Sequence, residues 1–298
     1  MNDNVSYFDD DFRKMQFLTK IRTDDPCRPK RAAYRGEATP LGRLTVAKPP
    51  HWGGSAVVEP PLWEGSAVAE PNSDYMAKFK VQPKMRSSFS DMFKCYKYVM
   101  KIFIFVVGPL QILSVPTFKL VGIRTSLPLP SMWEILSQLV VYFLIEDYTN
   151  YWLHRLLHCE WGYEKIHYVH HKYSAPFGFA ASHSHWAETV ILGIPTLLGP
   201  TMVPCHMITL SIWTILRQVE AIQTHSGYEF PWNPTNLIPF YVGAEYHDYH
   251  HFVGRQSQSN FASVFTYCDY IYGTDRGYRR HKQALNKVHL GVLQGKMS

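Results

Sequence analysis

Apolar and polar residues fall in long blocks along this chain, and the blocks set out its plan. Residues 1–74 are polar and broken by Pro and Gly, with neither helical nor alternating periodicity, so they predict a disordered or atypical segment, drawn here as 1–77. The first apolar block, Ile102–Val115, is flanked by Lys94, Lys97 and Lys101 before it and Lys119 after it. It predicts a transmembrane helix kinked at Gly108-Pro109, a break that membrane helices tolerate. After Leu127-Pro-Leu-Pro130 a second helix is expected from Ser131 through the apolar run Gln138–Ile145. Its helical phase continues without a breaker through Glu146-Asp147-Tyr148 to His154 and His158, so it leaves the bilayer and ends on histidines.

The third apolar region, Thr189–Leu216, is interrupted by Pro195, Gly199-Pro200 and Pro204. Two helices of about 14 residues would each reach about 20 Å. That is short of a hydrocarbon core of roughly 30 Å, which predicts a hairpin that dips into the membrane and returns. Residues 252–298 are polar and aromatic, with basic residues at Arg276, Arg279, Arg280, Lys282 and Lys287, and predict a solvated cap. The expected fold is an all-α integral membrane helical bundle over residues 78–298 with a histidine-rich di-metal cap. The lysines ahead of the first helix place that cap on the cytosolic side, although Lys119 and Arg124 blunt the asymmetry.

Composition removes other classes. The net charge of +6 comes from scattered basic residues without a zinc-finger, RNP or P-loop pattern, so a membrane surface or an acidic protein is expected as partner and nucleic acid is not. Five cysteines with no CxxC argue against a disulfide framework or thiolate zinc. The N-terminus lacks the apolar stretch of a signal peptide, and the chain closes without a dilysine or KDEL-type signal. The near-repeat Trp52–Pro60 and Trp63–Pro71 is too short for a solenoid and carries no chemistry.

The chemistry lies in three histidine clusters: His154 and His158; His167, His170 and His171; His247, His250 and His251. On a helix, positions i and i+4 share a face, and an HxxHH run adds i+3, so each cluster is a clamp for a metal. One transition metal takes no more than about six ligands, so eight imidazoles predict two ions. His225, His185 and, less directly, His183 are placed to complete the set, while isolated histidines such as His206 and His281 read as satisfied polar residues. Asp147, Asp248 and Glu188 are candidates to accept the other ring N–H of a ligand.

Imidazole alone leaves iron, zinc, copper and nickel open. The setting is more selective: a hydrolytic dizinc site brings bridging carboxylates and polar substrates, whereas nitrogen ligands at the ends of membrane helices suit oxidation of an apolar molecule arriving from lipid.

The motifs Asn150–His158 (NYWLHRLLH), Trp161–His167, Ala175–Gly178, Gly243–His251 (GAEYHDYHH) and Tyr272–Asp275, with Glu146–Tyr148 and His225–Tyr228, are specific enough to carry a resemblance. Over roughly Phe79–Lys282 the chain resembles the membrane fatty acid hydroxylase/sterol desaturase superfamily and, within it, the plant sterol 4α-methyl oxidases. His183–Glu188 and Gln256–Phe261 resemble the class acting on 4,4-dimethylsterols. The resemblance implies an endoplasmic-reticulum monooxygenase with two non-haem iron ions and O2 as co-substrate. Electrons would come from NAD(P)H through a cytochrome b5-type carrier and its reductase. A C4 methyl group would pass to alcohol, aldehyde and carboxylate, and a sterol C4-decarboxylating dehydrogenase would then remove the carboxyl group. The alternatives are a sterol C5-desaturase, a fatty acid hydroxylase, a non-enzymatic haem or metal carrier, and an inactive relative.

Overall fold

The computed structural model describes residues 75–85, 87–254 and 258–295, all within one unit of the chain, Ser66–Ser298. Of the segment expected to be disordered, residues 1–74 lie outside the described residues, as does Gln256, and residues 75–77 belong to a 3-10 turn, Tyr75–Phe79. No strand occurs among the described residues.

The first apolar block lies within one helix, α1 (Phe89–Leu120). Ser88 caps it by accepting the Asp91 N–H, and a π-helical turn, Phe103–Val107, lies directly before Gly108-Pro109. Proline supplies no N–H to the ladder, and the wider turn absorbs the break. Among the described residues α1 alone is long and apolar enough to cross a membrane by itself.

α2 (Met132–Leu157) begins where its sequence starts it, with Ser131 Oγ accepting the Glu134 N–H at 3.1 Å, and ends with His158 as its C-cap. At 1.5 Å per residue it spans about 39 Å, enough for an apolar half and a polar half. The hairpin is longer than its prolines suggested: α4 (Trp186–Met202) carries Pro195 and Pro200 inside it, and α5 (Met207–Thr224) runs on past Leu216. They reach roughly 25 and 27 Å, because a neighbouring helix can satisfy the carbonyls that a proline leaves free. Trp213 Nε1 donates to the Thr196 carbonyl at 2.8 Å, and Tyr142 OH to that of Val203 at 2.6 Å.

Helix α2 lies close against α4 because position 199 is glycine: a Cβ there would stand 3.0 Å from Tyr142 Cα. Close backbone approach through small residues is how helices pack where lipid replaces water. Tyr142, Trp213, Leu139, Leu210, Ile123 and Cys205 form the core at this level. At the far end the α1–α2 and α4–α5 connections meet, with Arg124 N–H donating to Cys205 O at 2.9 Å and Met207 N–H to Arg124 O at 2.8 Å. The outward faces carry exposed Ile104, Phe105, Ile112, Leu113, Val140, Leu144, Ile194 and Ile215. So broad an apolar surface is a lipid-facing one.

The remaining elements form the cap: α3 (Glu160–Lys165), 3-10 turns His167–Lys172, Gly178–Ser182 and Pro234–Leu237, then α6 (Ala244–Val253), α7 (Tyr267–Tyr272) and α8 (Arg276–Gly295). The tail is thus helical from Arg276, and Tyr278 packs its ring 4.9 Å from that of Tyr246. Cys95, Cys205 and Cys268 are free and buried.

Candidate metal centre

Two helices deliver histidines to the same end of the bundle: α2 ends on His154 and His158, and α5 ends on its C-cap His225. Between them α4 starts at that end, with Glu188 in its first turn. Glycine at 243 opens α6, where a Cβ would stand 2.9 Å from a Glu229 carboxylate oxygen, and α6 supplies His247, His250 and His251.

The nine histidines sort into two groups that differ from the clusters in the sequence. His154, His158, His167, His171 and His250 form one, and His170, His225, His247 and His251 the other; within each, ligand atoms lie within 4.8 Å of one another. Each HxxHH run is split, its i and i+4 rings joining one group and its i+3 ring the other. The two runs divide in opposite senses, so each links both groups. His171 and His251, from different groups, stack with ring centroids 4.7 Å apart.

Hydrogen bonds on the outer side of the rings fix where the protons are. His154 donates Nδ1–H to Phe261 O at 2.9 Å, His250 to Ser259 O at 2.8 Å and His225 to Ala221 O at 2.8 Å; His167 Nδ1 meets Glu188 Oε1 at 2.8 Å. A carbonyl can only accept, so the inward Nε2 atoms of His154, His250 and His225 carry lone pairs. Yet Nε2 of His154 lies 3.2 Å from Nε2 of His167, and Nε2 of His225 lies 3.2 Å from that of His170 and 2.9 Å from that of His247. With Glu188 ionised, His167 gives it the Nδ1–H and sets a second lone pair against that of His154, an arrangement that a cation between the rings relieves. Ligands about 2.1 Å from a common ion and roughly at right angles stand about 3.0 Å apart, so the donor set fits a metal.

Burial supports the same protonation state. It holds His167 down to about 3 and His170, His171, His247, His250 and His251 well below the usual imidazole range, helped for these five by neighbouring rings. Neutral imidazole is the form that binds a metal.

The other expected residues stand apart from the rings. His185 is the N-cap of α4, its Nδ1 accepting the Ala187 N–H at 3.2 Å, and His183 donates to Val169 O at 3.0 Å with its ring against Tyr98; neither belongs to the two groups. Asp147 accepts the N–H groups of Val264 and Phe265 at 2.8 and 3.0 Å rather than an imidazole. Seven residues put it on the face of His154 but about 10 Å below it along the helix. Asp248 accepts from Gln82 Nε2 at 2.6 Å, fastening residue 82 to α6. Burial raises its pKa to about 7 against that hydrogen bond.

Sequence reasoning missed Asp269. Its buried carboxylate takes Phe261 N–H at 3.0 Å and Thr274 OH at 2.6 Å on one oxygen, and Ala262 N–H and Tyr246 OH, both at 2.9 Å, on the other. The strap 258–266 is therefore pinned by Asp269 and Asp147, and its Ser259 and Phe261 carbonyls aim His250 and His154. Asn260 sits at φ 60°, and its side chain donates to Tyr246 O at 3.0 Å. The Phe261 ring walls the first group, 5.2 Å from His158 and 5.7 Å from His154.

A helical bundle with an apolar outer face and two converging sets of buried imidazoles able to hold metal ions is the arrangement of a histidine-cluster protein suited to a membrane. The model of the fatty acid hydroxylase family matches residues 139–274, from the middle of α2 to the turn after α7. The chain is 66% identical to methylsterol monooxygenase 1-2 of Arabidopsis thaliana over 72% of each chain. It is 65% identical to very-long-chain aldehyde decarbonylase GL1-10 of Oryza sativa subsp. japonica, over 73% of this chain and 72% of that one. Against Arabidopsis methylsterol monooxygenase 2-2 the identity is 42%, over 70% of this chain and 78% of the relative. The chain belongs to the fatty acid hydroxylase family. No solved structure matches it significantly.

Proposed function

We propose that this chain is an O2-dependent monooxygenase that oxidises the C4α-methyl group of 4,4-dimethylsterols, using two non-haem iron ions held by His154, His158, His167, His171 and His250 and by His170, His225, His247 and His251. The observation that carries it is the pairing of two adjoining, carboxylate-poor imidazole groups with 66% identity to a methylsterol monooxygenase. Five and four nitrogens are fewer than the six positions an iron ion offers, which leaves room for a co-substrate. When bound, the iron pair supplies the redox chemistry that turns O2 against a C–H bond.

The protein's own part is positioning and exclusion. Glu188 and the Ser259, Phe261 and Ala221 carbonyls hold four rings with their lone pairs inward, and burial keeps the imidazoles neutral and water out. Each round takes one O2, two electrons and two protons, and three rounds carry methyl to alcohol, aldehyde and carboxylate with release of water. The electrons are assigned to NAD(P)H through a cytochrome b5-type carrier and its reductase, and the carboxylate to a sterol C4-decarboxylating dehydrogenase. We place the enzyme in the endoplasmic reticulum with its histidines facing the cytosol. Lys94, Lys97 and Lys101 lie in the half of α1 nearer the histidines, where Tyr98 OH donates to Ser184 O, and Arg124 at the far end pairs with Glu134.

The 65% identity to a protein named as a very-long-chain aldehyde decarbonylase supports a second reading, an aldehyde substrate. Full-length protein in membranes, given reductant, is offered 4,4-dimethylsterol or a very-long-chain aldehyde with and without O2. Aerobic appearance of the C4 alcohol and carboxylate supports the proposal; alkane from the aldehyde with untouched sterol refutes it.

A further inference from the structure

A cavity of about 350 Å³, almost wholly apolar, lies between α1, the Phe177–Ser182 segment and α5. Met92, Tyr96, Val99 and Phe103 line it from one face of α1, and Ile222 and Gln218 from one face of α5. We propose that this cavity holds the distal rings and side chain of the sterol while ring A lies at the histidines, an assignment that rests on the function proposed above.

Connectivity carries the first step. On α5, Gln218, Ile222 and His225 stand at i, i+4 and i+7, one face of the helix, and His225 belongs to the second imidazole group. From residue 225 back to residue 218 is about 10 Å along the axis at 1.5 Å per residue. A rigid fused-ring molecule with its reacting end at His225 thus extends along α5 past Ile222 and into the cavity. Gly178 lets the Phe177–Ser182 segment pack close against this face of α5, since a Cβ there would stand 3.2 Å from Ile222 Cγ2.

Size and access carry the second step. The volume lies at the low end of the roughly 300–1,000 Å³ of sites for drug-sized ligands, so it suits part of a steroid and not the whole. Its mouth is greasy: Tyr96, Met100, Phe103 and Phe179 are all exposed, and Phe103 opens the π-helical turn of α1. A ligand therefore enters from the apolar side of the bundle, as a membrane-dissolved sterol does. No Asp, Glu, Lys or Arg lines the cavity, so a charged headgroup finds no partner there.

The test uses full-length protein in phospholipid nanodiscs and a 4,4-dimethylsterol with a photoreactive diazirine on its side chain. Labelling of Val99, Met100, Phe103 or Ile222, competed by unlabelled 4,4-dimethylsterol and not by added phospholipid, is expected. Val99→Trp and Ile222→Trp, from two different helices, should each reduce labelling and raise KM about tenfold or more, the scale on which an apolar pocket discriminates. Their iron content should match wild type. Sterol turnover with labels elsewhere, equal competition by phospholipid, or undiminished labelling in both iron-replete variants overturns the assignment while leaving the function intact. Absence of sterol turnover, with cavity labelling competed by a very-long-chain aldehyde, overturns both.

Discussion

Asp269→Asn isolates the strap that aims the histidines. In the native chain each carboxylate oxygen of Asp269 accepts one backbone N–H and one hydroxyl, Phe261 and Thr274 on one side, Ala262 and Tyr246 on the other. Asparagine keeps one acceptor and turns an NH2 toward the other pair. A hydroxyl can rotate to accept, but a backbone N–H cannot, so Phe261 or Ala262 loses its partner whichever way the amide points. One orphaned buried donor costs about 1–3 kcal/mol. The loss falls on the strap that presents Ser259 O and Phe261 O to His250 and His154, so metal affinity should drop about 10- to 100-fold, as on loss of other partners outside the ligand ring. The assay is iron retained by purified full-length protein against a graded chelator, alongside thermal unfolding. Wild-type retention in a variant with lowered Tm would refute the reasoning: the strap would then stabilise the cap without setting the rings.

Other perturbations have equally definite outcomes. His250→Ala should release the iron of the first group and abolish turnover with membrane insertion intact, read by metal analysis and membrane fractionation. Glu188→Ala should weaken iron binding about 10- to 100-fold, with Glu188→Gln less affected because its amide oxygen still accepts from His167. Gly199→Val drives a side chain into Tyr142 and should cost about 1–3 kcal/mol, seen as faster thermal inactivation. In metal-free protein His167 is held at about 3 against roughly 6.5 when unfolded, so the unfolded chain binds the extra proton between these values. Stability should be complete above about pH 6.5 and fall as pH drops toward 3; a flat profile across that window would contradict the burial of these rings.

Much of this was legible beforehand, for identifiable reasons. Ser131 and the unbroken phase to His158 marked α2 at both ends, since capping and periodicity are local. The convergence of the clustered histidines was legible because their i, i+3 and i+4 spacing sets each run of rings on one face. The division of each HxxHH run between two groups was not legible, because it depends on how the 167–172 turn faces α6. Proline misled at α4, where Pro195 and Pro200 lie inside a helix packed on α2. Asp269 carried no signal: a lone acid beside Cys268 acquires its role only when the strap folds over it. The segment Gln256–Phe261 stood out as a motif, yet the atoms that aim the rings are the Ser259 and Phe261 carbonyls, which side-chain patterns do not reveal.

Iron quantification on purified, full-length protein bears most directly on the centre. Two iron ions per chain are expected, with about one retained when His250 is replaced by Ala and no haem absorbance in either sample. A Soret band, zinc in place of iron, or a single ion unaffected by that substitution would contradict the paired-imidazole account.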